Sequence, residues 1–396
     1  MFCKVFFWAS SFALAAVAVP APGRCSGACG THDPSLIRRV SDGTYFLFST
    51  NGHVGVASAP SIAGPWTQRG AALPGPVKLP QGNDIWAPDV SLVGNTYHMY
   101  YAVSSFGSQN SAIGLATSTT LEPGSWTDHG SIGLSSTPGS PYNAIDPNLV
   151  KSGNSYYLNV GSFWGDIYQA QMSTDLTRPT NNPLNMIFNP IGSHSGEGSF
   201  AFQNGNYFYM FWSAGQCCGL NTNRPPPGGE YMIKVCRSNA VTGPYVDQNG
   251  VSCTAGGGTI VLQSHDNIYA PGGQGVINDP THGPVLYYHY MNTNIGIGDG
   301  QTILGWNPLS FPNGWPVVES ANSTPTTSRV VPTSNISSPS GAPMYGQWYV
   351  TLFPKEETLL TYWEVEVSDG LVLRPARREA AMFSTRIIPS VTKNIL

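Results

Sequence analysis

Asp33-Pro34-Ser35-Leu36-Ile37, a turn at Ser41-Asp42-Gly43, Tyr45-Phe46-Leu47-Phe48, then Val54-Gly55-Val56-Ala57-Ser58 and a closing Gly64-Pro65-Trp66 make up one complete unit of a repeat. The unit has an acidic or small-residue head, a strand, a polar turn, an aromatic strand and a strand of small residues. The plan returns at Ala87-Pro88-Asp89-Val90, with a turn at Gly94-Asn95 and the aromatic run Tyr97-His98-Met99-Tyr100-Tyr101. It returns again at Ile145-Asp146-Pro147-Asn148, turning at Gly153-Asn154, and at Glu197-Gly198-Ser199-Phe200, turning at Asn204-Gly205-Asn206. A fifth unit opens at Ala270-Pro271-Gly272-Gly273, delayed by a Gly/Pro-rich insertion around 215–230. Heads at 33, 89, 146 and 197 keep a near-constant period of 51 to 57 residues. Each unit supplies about four strands, the size of one propeller blade. The expected fold is therefore all-β, a five-bladed β-propeller over 30–318 with a short C-terminal extension. A β-sandwich or two β domains is the competing arrangement, and the recurring Gly-(Pro/Ser)-aromatic ending speaks against it. A propeller would bring residues as distant as 33, 146 and 197 to one end of one cavity.

Composition fits many short strands joined by tight turns: 45 Gly and 33 Pro in 396 residues, with only 10% charged. Eighteen basic residues and a net charge of −4 leave no basic stripe for nucleic acid, which is not expected as a partner. Lys4 precedes an apolar run from Val5 to Val19, and Ala16-Val17-Ala18 offers a small-residue cleavage site. Residues 1–18 read as a secretory signal and 19–29 as the N-terminal mature segment. A membrane anchor is the alternative, for which the run is short against the roughly 20 residues of a span. The expectation is a secreted, extracellular protein with no membrane attachment once the signal is removed, and a monomer. Outside the signal, six cysteines remain: Cys25, Cys29, Cys217, Cys218, Cys236 and Cys253. In an oxidising compartment an even number suggests disulfides. The four between 217 and 253 suggest local stapling, with the pairing unreadable. A metal site lacks the Cys-x-x-Cys pair and histidine spacing it would need.

The chemistry lies in three acids. Asp33 (in His32-Asp33-Pro34-Ser35), Asp146 (in Asn143-Ala144-Ile145-Asp146-Pro147) and Glu197 (in Ser195-Gly196-Glu197-Gly198-Ser199) each stand at the start of a block, beside Pro or Gly. Any one alone reads as an ordinary turn dipeptide; three at block heads read as a site. Glycosidic cleavage needs one carboxyl to protonate the leaving oxygen and another to act on the opposite face. The acid must keep its proton near neutral pH, so burial or a neighbouring negative charge must raise its pKa, and a third carboxylate can supply that charge. Glu197 has the longer reach, and Gly196 and Gly198 allow substrate to approach its backbone. Asp89, at a further head, reads as a turn or ladder cap. His32 could bond near the cavity or cap a strand.

These segments, with Asp84-Ile85-Trp86-Ala87-Pro88-Asp89, Val103-Ser104-Ser105-Phe106-Gly107, Gly161-Ser162-Phe163-Trp164 and Leu304-Gly305-Trp306-Asn307-Pro308-Leu309, resemble glycoside hydrolase family 43, and within it the fungal endo-1,5-α-L-arabinanases. The resemblance covers about 30–318. It implies a five-bladed propeller and an inverting mechanism on arabinan, with Asp33 as general base, Glu197 as general acid and Asp146 tuning and orienting the acid. An inverting pair should stand roughly 6.5–9.5 Å apart, leaving room for water. Trp86, Phe106, Phe163 and Trp164 are candidate sugar-stacking faces, with Asn143 and Ser162 as polar partners. Bacterial relatives carry a histidine in the fifth-blade motif that helps hold a channel ion, whereas the corresponding run here, Ala270-Pro271-Gly272-Gly273-Gln274-Gly275, has none. No metal ligand is assigned and no cofactor is required, since three acids complete the mechanism; an ion or water on the axis stays open. His265 and His289 read as structural. An exo-acting arabinofuranosidase or β-xylosidase on the same fold is the enzymatic alternative. A non-catalytic propeller lectin would repeat its site in every blade, which the differing heads do not do.

Beyond Val318 the resemblance stops. Residues 319–342 form a Ser/Thr/Pro-rich linker with glycosylation acceptors at Asn322 and Asn335. Of the last 54 residues 12 are charged, against 28 of the preceding 342, which marks 343–396 as a separate tail. It has no cysteines to staple it, and a poorly ordered tail is expected.

Overall fold

The computed structural model describes residues 19–322 continuously, and beyond them the strands at 348–349, 363–367 and 371–375. The signal at 1–18, the linker with Asn335 and most of the C-terminal tail lie outside the described residues.

Five four-stranded antiparallel sheets follow one another along the chain, each paired in sequence order. Blade one holds β1 (Ser35–Arg38), β2 (Tyr45–Ser49), β3 (Gly55–Ala59) and β4 (Thr67–Ala71). Blade two holds β5 (Ile85–Val93), β6 (Thr96–Val103), β7 (Ser111–Ser118) and β8 (Thr127–Ser136). Blade three holds β9 (Asn148–Ser152), β10 (Ser155–Val160), β11 (Ile167–Gln171) and β12 (Leu184–Ile187). Blade four holds β13 (Gly196–Asn204), β14 (Tyr207–Ala214), β15 (Met232–Ser238) and β16 (Thr259–Leu262). Blade five holds β17 (Ile268–Asp279), β18 (Gly283–Asn292), β19 (Thr302–Ser310) and β20 (Val317–Val318). The fold is the five-bladed propeller the repeat predicts. In blades two, three and four the first hairpin closes through the same two residues, Gly94-Asn95, Gly153-Asn154 and Gly205-Asn206. Each glycine there has φ near +60°, the left-handed conformation a tight hairpin turn requires. In the C-terminal unit, β21 (Trp348–Tyr349), β22 (Trp363–Val367) and β23 (Leu371–Pro375) form a small antiparallel sheet in that order.

The aromatic second strands fill the gaps between blades. Phe46 and Phe48 pack with Met99 and Tyr101 between blades one and two. Tyr100 packs with Leu149 and Leu158 between two and three, and Val150 with Met210 and Trp212 between three and four. Tyr209 and Phe211 pack with Leu286 and Tyr288 between four and five. Leu36 and Leu47 against Tyr287 and Trp306 close the circle. The N-terminal segment clasps that last seam. Gly23 N–H donates to Trp306 O (2.7 Å) and Leu304 N–H to Cys29 O (2.8 Å), while Ala28 N–H donates to Trp66 O (2.9 Å). Cys25–Cys29 staples this clasp; the other disulfides are Cys217–Cys218 and Cys236–Cys253, the local pairing expected of that cluster.

Near the axis the inner strands are stitched blade to blade. Val90 N–H donates to Ser35 Oγ (3.0 Å), Leu149 N–H to Asp89 Oδ2 (2.9 Å) and Ala201 N–H to Asn148 Oδ1 (2.9 Å). Ser35, Asp89 and Asn148 are therefore the equivalent positions, and this shifts the repeat register by two residues in blade two. The residue matching Asp33 and Asp146 is Ala87, not Asp89. All three precede a proline and have positive φ, at 45°, 55° and 38° for Asp33, Asp146 and Ala87. That conformation is uncommon outside glycine. Asp89 is a buried clamp that also accepts from Asn148 Nδ2 (3.2 Å); burial pushes its pKa up to about 6.

Candidate active site

The propeller places the three acids on one open cleft of about 470 Å³. Asp33 and Asp146 reach it from the heads of β1 and β9, and Glu197 from the start of β13. Between Glu197 and Phe200 the pairing of β13 with β14 shifts register. An isolated bridge between Ser162 and Glu197 brings the blade-three loop onto the same strand.

Asp33 sits among groups that favour its charge. Its Oδ2 meets His32 Nδ1 at 2.9 Å and accepts from Thr50 Oγ1 at 2.8 Å. Burial works against ionisation, but the His32 imidazole, its hydrogen bond and the Thr50 hydroxyl outweigh it and hold the carboxyl well below the usual range. His289, on β18, is buried behind it and accepts the Asp33 backbone N–H on Nδ1 at 3.0 Å. A backbone amide can only donate, so Nδ1 carries no proton and the ring is neutral with its hydrogen on Nε2. Burial and the neighbouring His32 push its pKa down to about 3. The 3.8 Å approach of the same Nδ1 to Asp33 Oδ1 is accordingly not an ion pair. The His32 and His289 rings stack with centroids 4.5 Å apart.

Glu197 is buried, with both carboxyl oxygens occupied. Ser162 Oγ lies 2.5 Å from Oε2, and the Tyr231 hydroxyl donates to Oε1. Burial pushes its pKa up; the two hydroxyls pull it down and the Asp33 charge pushes it up again, for a net rise. Asp146 Oδ2 accepts the N–H of Gly198, next to Glu197, at 3.0 Å. Burial first, then the charges of Glu197 and Asp33, raise Asp146 well above the ordinary carboxyl value. Tyr231 is itself pushed well above its usual range by burial and the three carboxylates, so it stays a donor. Asp166, buried below the blade-three loop, accepts Asn189 N–H at 2.6 Å, and burial pushes it up to about 7.

Of the sugar-facing candidates, Trp86, Phe106, Phe163, Trp164, Asn143 and Ser162 all line the cleft. Phe106 is 80% exposed and Trp164 39%, so their faces are free, whereas Trp86 packs partly into the seam between blades two and three. Asn143 gives its side-chain oxygen to Ser111 Oγ (2.6 Å) and Ser136 Oγ (3.3 Å). Ser162 changes role: its hydroxyl is spent on Glu197, because the bridge to β13 turns it inward. Tyr231 and His289 had no signal as site residues. Tyr231 ends the 215–231 insertion, and His289 lies inside an aromatic strand. His32, Asp33 and His289 offer ligand atoms within 4.8 Å of one another, as a cation would need. His32 Nδ1 and His289 Nδ1 are engaged by Asp33 Oδ2 and the Asp33 N–H, and an ion taking those nitrogens would have to displace both hydrogen bonds.

A propeller that gathers carboxyl groups, one held low in pKa and one pushed up, into an open cleft edged with free aromatic faces has the build of a glycoside hydrolase. Residues 28–316 match the family described as Glycosyl hydrolases family 43, and the chain belongs to that family. It is 58% identical over 299 residues to an arabinan endo-1,5-alpha-L-arabinosidase A of Aspergillus niger, covering 75% of this chain and 93% of the relative. A solved endo-arabinanase of the family from Bacillus licheniformis superposes with TM-score 0.66 at 31% identity, covering 74% of this chain and 99% of that one. An exo-1,5-alpha-L-arabinanase from a bovine ruminal metagenomic library superposes with TM-score 0.67 at 31% identity, covering 75% of this chain and all of that one.

Proposed function

We propose that this protein cleaves internal α-1,5-L-arabinofuranosyl linkages of arabinan with inversion of configuration. The observation that carries the mechanism is that the surroundings of Asp33 and Glu197 on one cleft shift their pKa values in opposite directions, Asp33 down and Glu197 up; the named relative supports the substrate. Asp33, ionised, takes a proton from water and directs it at the anomeric carbon. Glu197 gives its proton to the leaving oxygen. When Glu197 is protonated on Oε2 the short contact with Ser162 reverses, the carboxyl donating to Oγ. The proton thus stays on Oε2, hydrogen-bonded to serine, until a glycosidic oxygen takes the serine's place as acceptor. Tyr231 holds Oε1 and fixes the plane of the carboxyl. Asp146 anchors the backbone beside the acid through the Gly198 N–H, and as a second buried carboxyl near Glu197 it disfavours both being charged at once. Phe106, Phe163 and Trp164 supply apolar faces for sugar rings and Asn143 an amide. No cofactor enters this scheme.

The open cleft supports endo action, and the likeness to an exo-acting structure keeps the exo reading in view. Linear arabinan followed over time decides between them. Oligosaccharides of mixed length at the earliest points are expected; arabinose alone from the start would sink the endo assignment. The N-terminal signal pattern supports secretion, and no described helix is long and apolar enough to cross a membrane. The expected product is an extracellular monomer, checked by sizing the protein from culture medium.

A further inference from the structure

In blades two to five the loops joining the second and third strands carry a shared pattern, an apolar residue followed by glycine, which the short blade-one loop Thr50-Asn51-Gly52-His53-Val54 lacks. Blade two has Phe106-Gly107 between β6 and β7, and blade three has Phe163-Trp164-Gly165 between β10 and β11. Blade four has Cys217-Cys218-Gly219 between β14 and β15, and blade five Ile295-Gly296 between β18 and β19. Phe106, Phe163 and Trp164 line the cleft, and so do Cys217 and Cys218. Where its neighbours place aromatic rings, blade four places a disulfide between adjacent cysteines.

From this equivalence we propose that the Cys217–Cys218 disulfide is a contact surface for an arabinofuranose ring, a specificity element of the cleft in place of an aromatic side chain. The inference rests on the arabinan reading above. Adjacent bonded cysteines close an eight-membered ring whose exposed atoms are carbon and sulfur, with no hydrogen-bond donor on the side chains. Such a surface is compact and polarisable, suited to the C–H face of a furanose. It is also held in place. Gln216 Nε2 donates to Cys218 O (3.0 Å) and to Asn223 O (2.7 Å), and Gly219 N–H donates to Asp299 Oδ1 (2.9 Å) on the blade-five loop. Cys217 packs against the buried cluster of Leu220, Tyr231 and Tyr269. Tyr231 N–H donates to Gln216 O at 3.0 Å. One strap therefore presents the sugar face and, at its far end, the hydroxyl on Glu197. A preorganised contact adds affinity without an ordering cost.

The test is the double variant Cys217→Ala/Cys218→Ala, with Cys25→Ala/Cys29→Ala as a disulfide removed from the clasp instead. On arabino-oligosaccharides, KM is expected to rise about fivefold to tenfold, the loss of one modest apolar contact. The kcat should stay within about threefold and the alkaline limb of the pH profile should not move, as Glu197 keeps its partners. The clasp variant should keep the wild-type KM. A folded 217/218 variant with wild-type KM, while wild-type enzyme cleaves arabinan, overturns this inference alone. Wild-type enzyme inactive on arabinan overturns the substrate reading instead. If the variant does not fold, protection decides. A water-soluble phosphine, itself oxidised to the phosphine oxide, reduces the disulfide to two thiols that iodoacetamide then caps. In Glu197→Gln protein, saturating arabinohexaose should slow capping at 217 and 218 at least about fivefold, by burying the site, and leave 25 and 29 unaffected. Equal capping rates with and without sugar would overturn the proposal.

Discussion

Asp33 and Glu197 face one cleft from blades one and four, and their surroundings do opposite things. Asp33 is half-buried against an imidazole and a threonine hydroxyl, which favour its charge. Glu197 is fully enclosed, with hydroxyls for partners and acids for neighbours. Among the described residues, neither carboxyl has a lysine or arginine within ion-pair distance. The difference shows how two carboxyls in one solvent-filled groove can be separated in pKa without a strong cation: imidazole on one side, dehydration on the other.

The sharpest way to break this contrast is to remove the proposed proton donor. Glu197→Gln keeps the shape and the Ser162 and Tyr231 contacts but cannot give up a carboxyl proton; kcat should fall by about 10²–10⁴-fold or more, read in initial rates on arabino-oligosaccharides. Tyr231→Phe is milder. Losing a donor to the carboxylate raises the Glu197 pKa further, so the alkaline limb of the kcat profile should move to higher pH and the optimum rate drop about tenfold. An unmoved limb would mean Tyr231 only fills space. His32→Ala acts on the other carboxyl. The imidazole holds Asp33 low, so without it the Asp33 pKa rises and the acidic limb moves up. The rate at the optimum should change only a fewfold, roughly the size of one hydrogen-bonded partner. In the intact enzyme that acidic limb lies below the ordinary carboxylate range, because Asp33 stays ionised there. Asp89→Ala has the smallest effect on rate, none per folded molecule, while leaving the Leu149 N–H unpaired should cost about 1–3 kcal/mol in denaturant unfolding.

The repeat made the propeller legible because each blade must bury aromatic residues against its neighbours, and that demand writes the same pattern five times. The three acids were legible for the same reason, standing where the pattern restarts. The register of blade two was not. An acid beside proline looks alike whether the proline follows, as in Asp33-Pro34, or precedes, as in Pro88-Asp89. Only the inter-blade bonds from Ser35, Asp89 and Asn148 tell the two apart. The bond from Ser162 to Glu197 was not legible, because a hydroxyl next to aromatics gives no sign of which way it turns. Tyr231 was out of reach, since loop length hides where an insertion returns to the sheet. His289 shares its strand with Tyr287, Tyr288 and Tyr290, and only the neighbouring blade distinguishes it.

The clasp at the seam between blades five and one bears on how the chain comes to be folded. Gly23 and Cys29 belong to the first part of the mature protein made, and their partners, Trp306 and Leu304, are among the last residues of the propeller. Blades one to four can pair and pack as they leave the ribosome, but their N-terminal edge must wait, unpartnered, for blade five. Closure is then a long-range event, late and slow by the measure of sequence separation. Until it happens the head of β1, with Asp33 on it, lacks His289. The surroundings of Asp33 are completed by the same step that completes the ring.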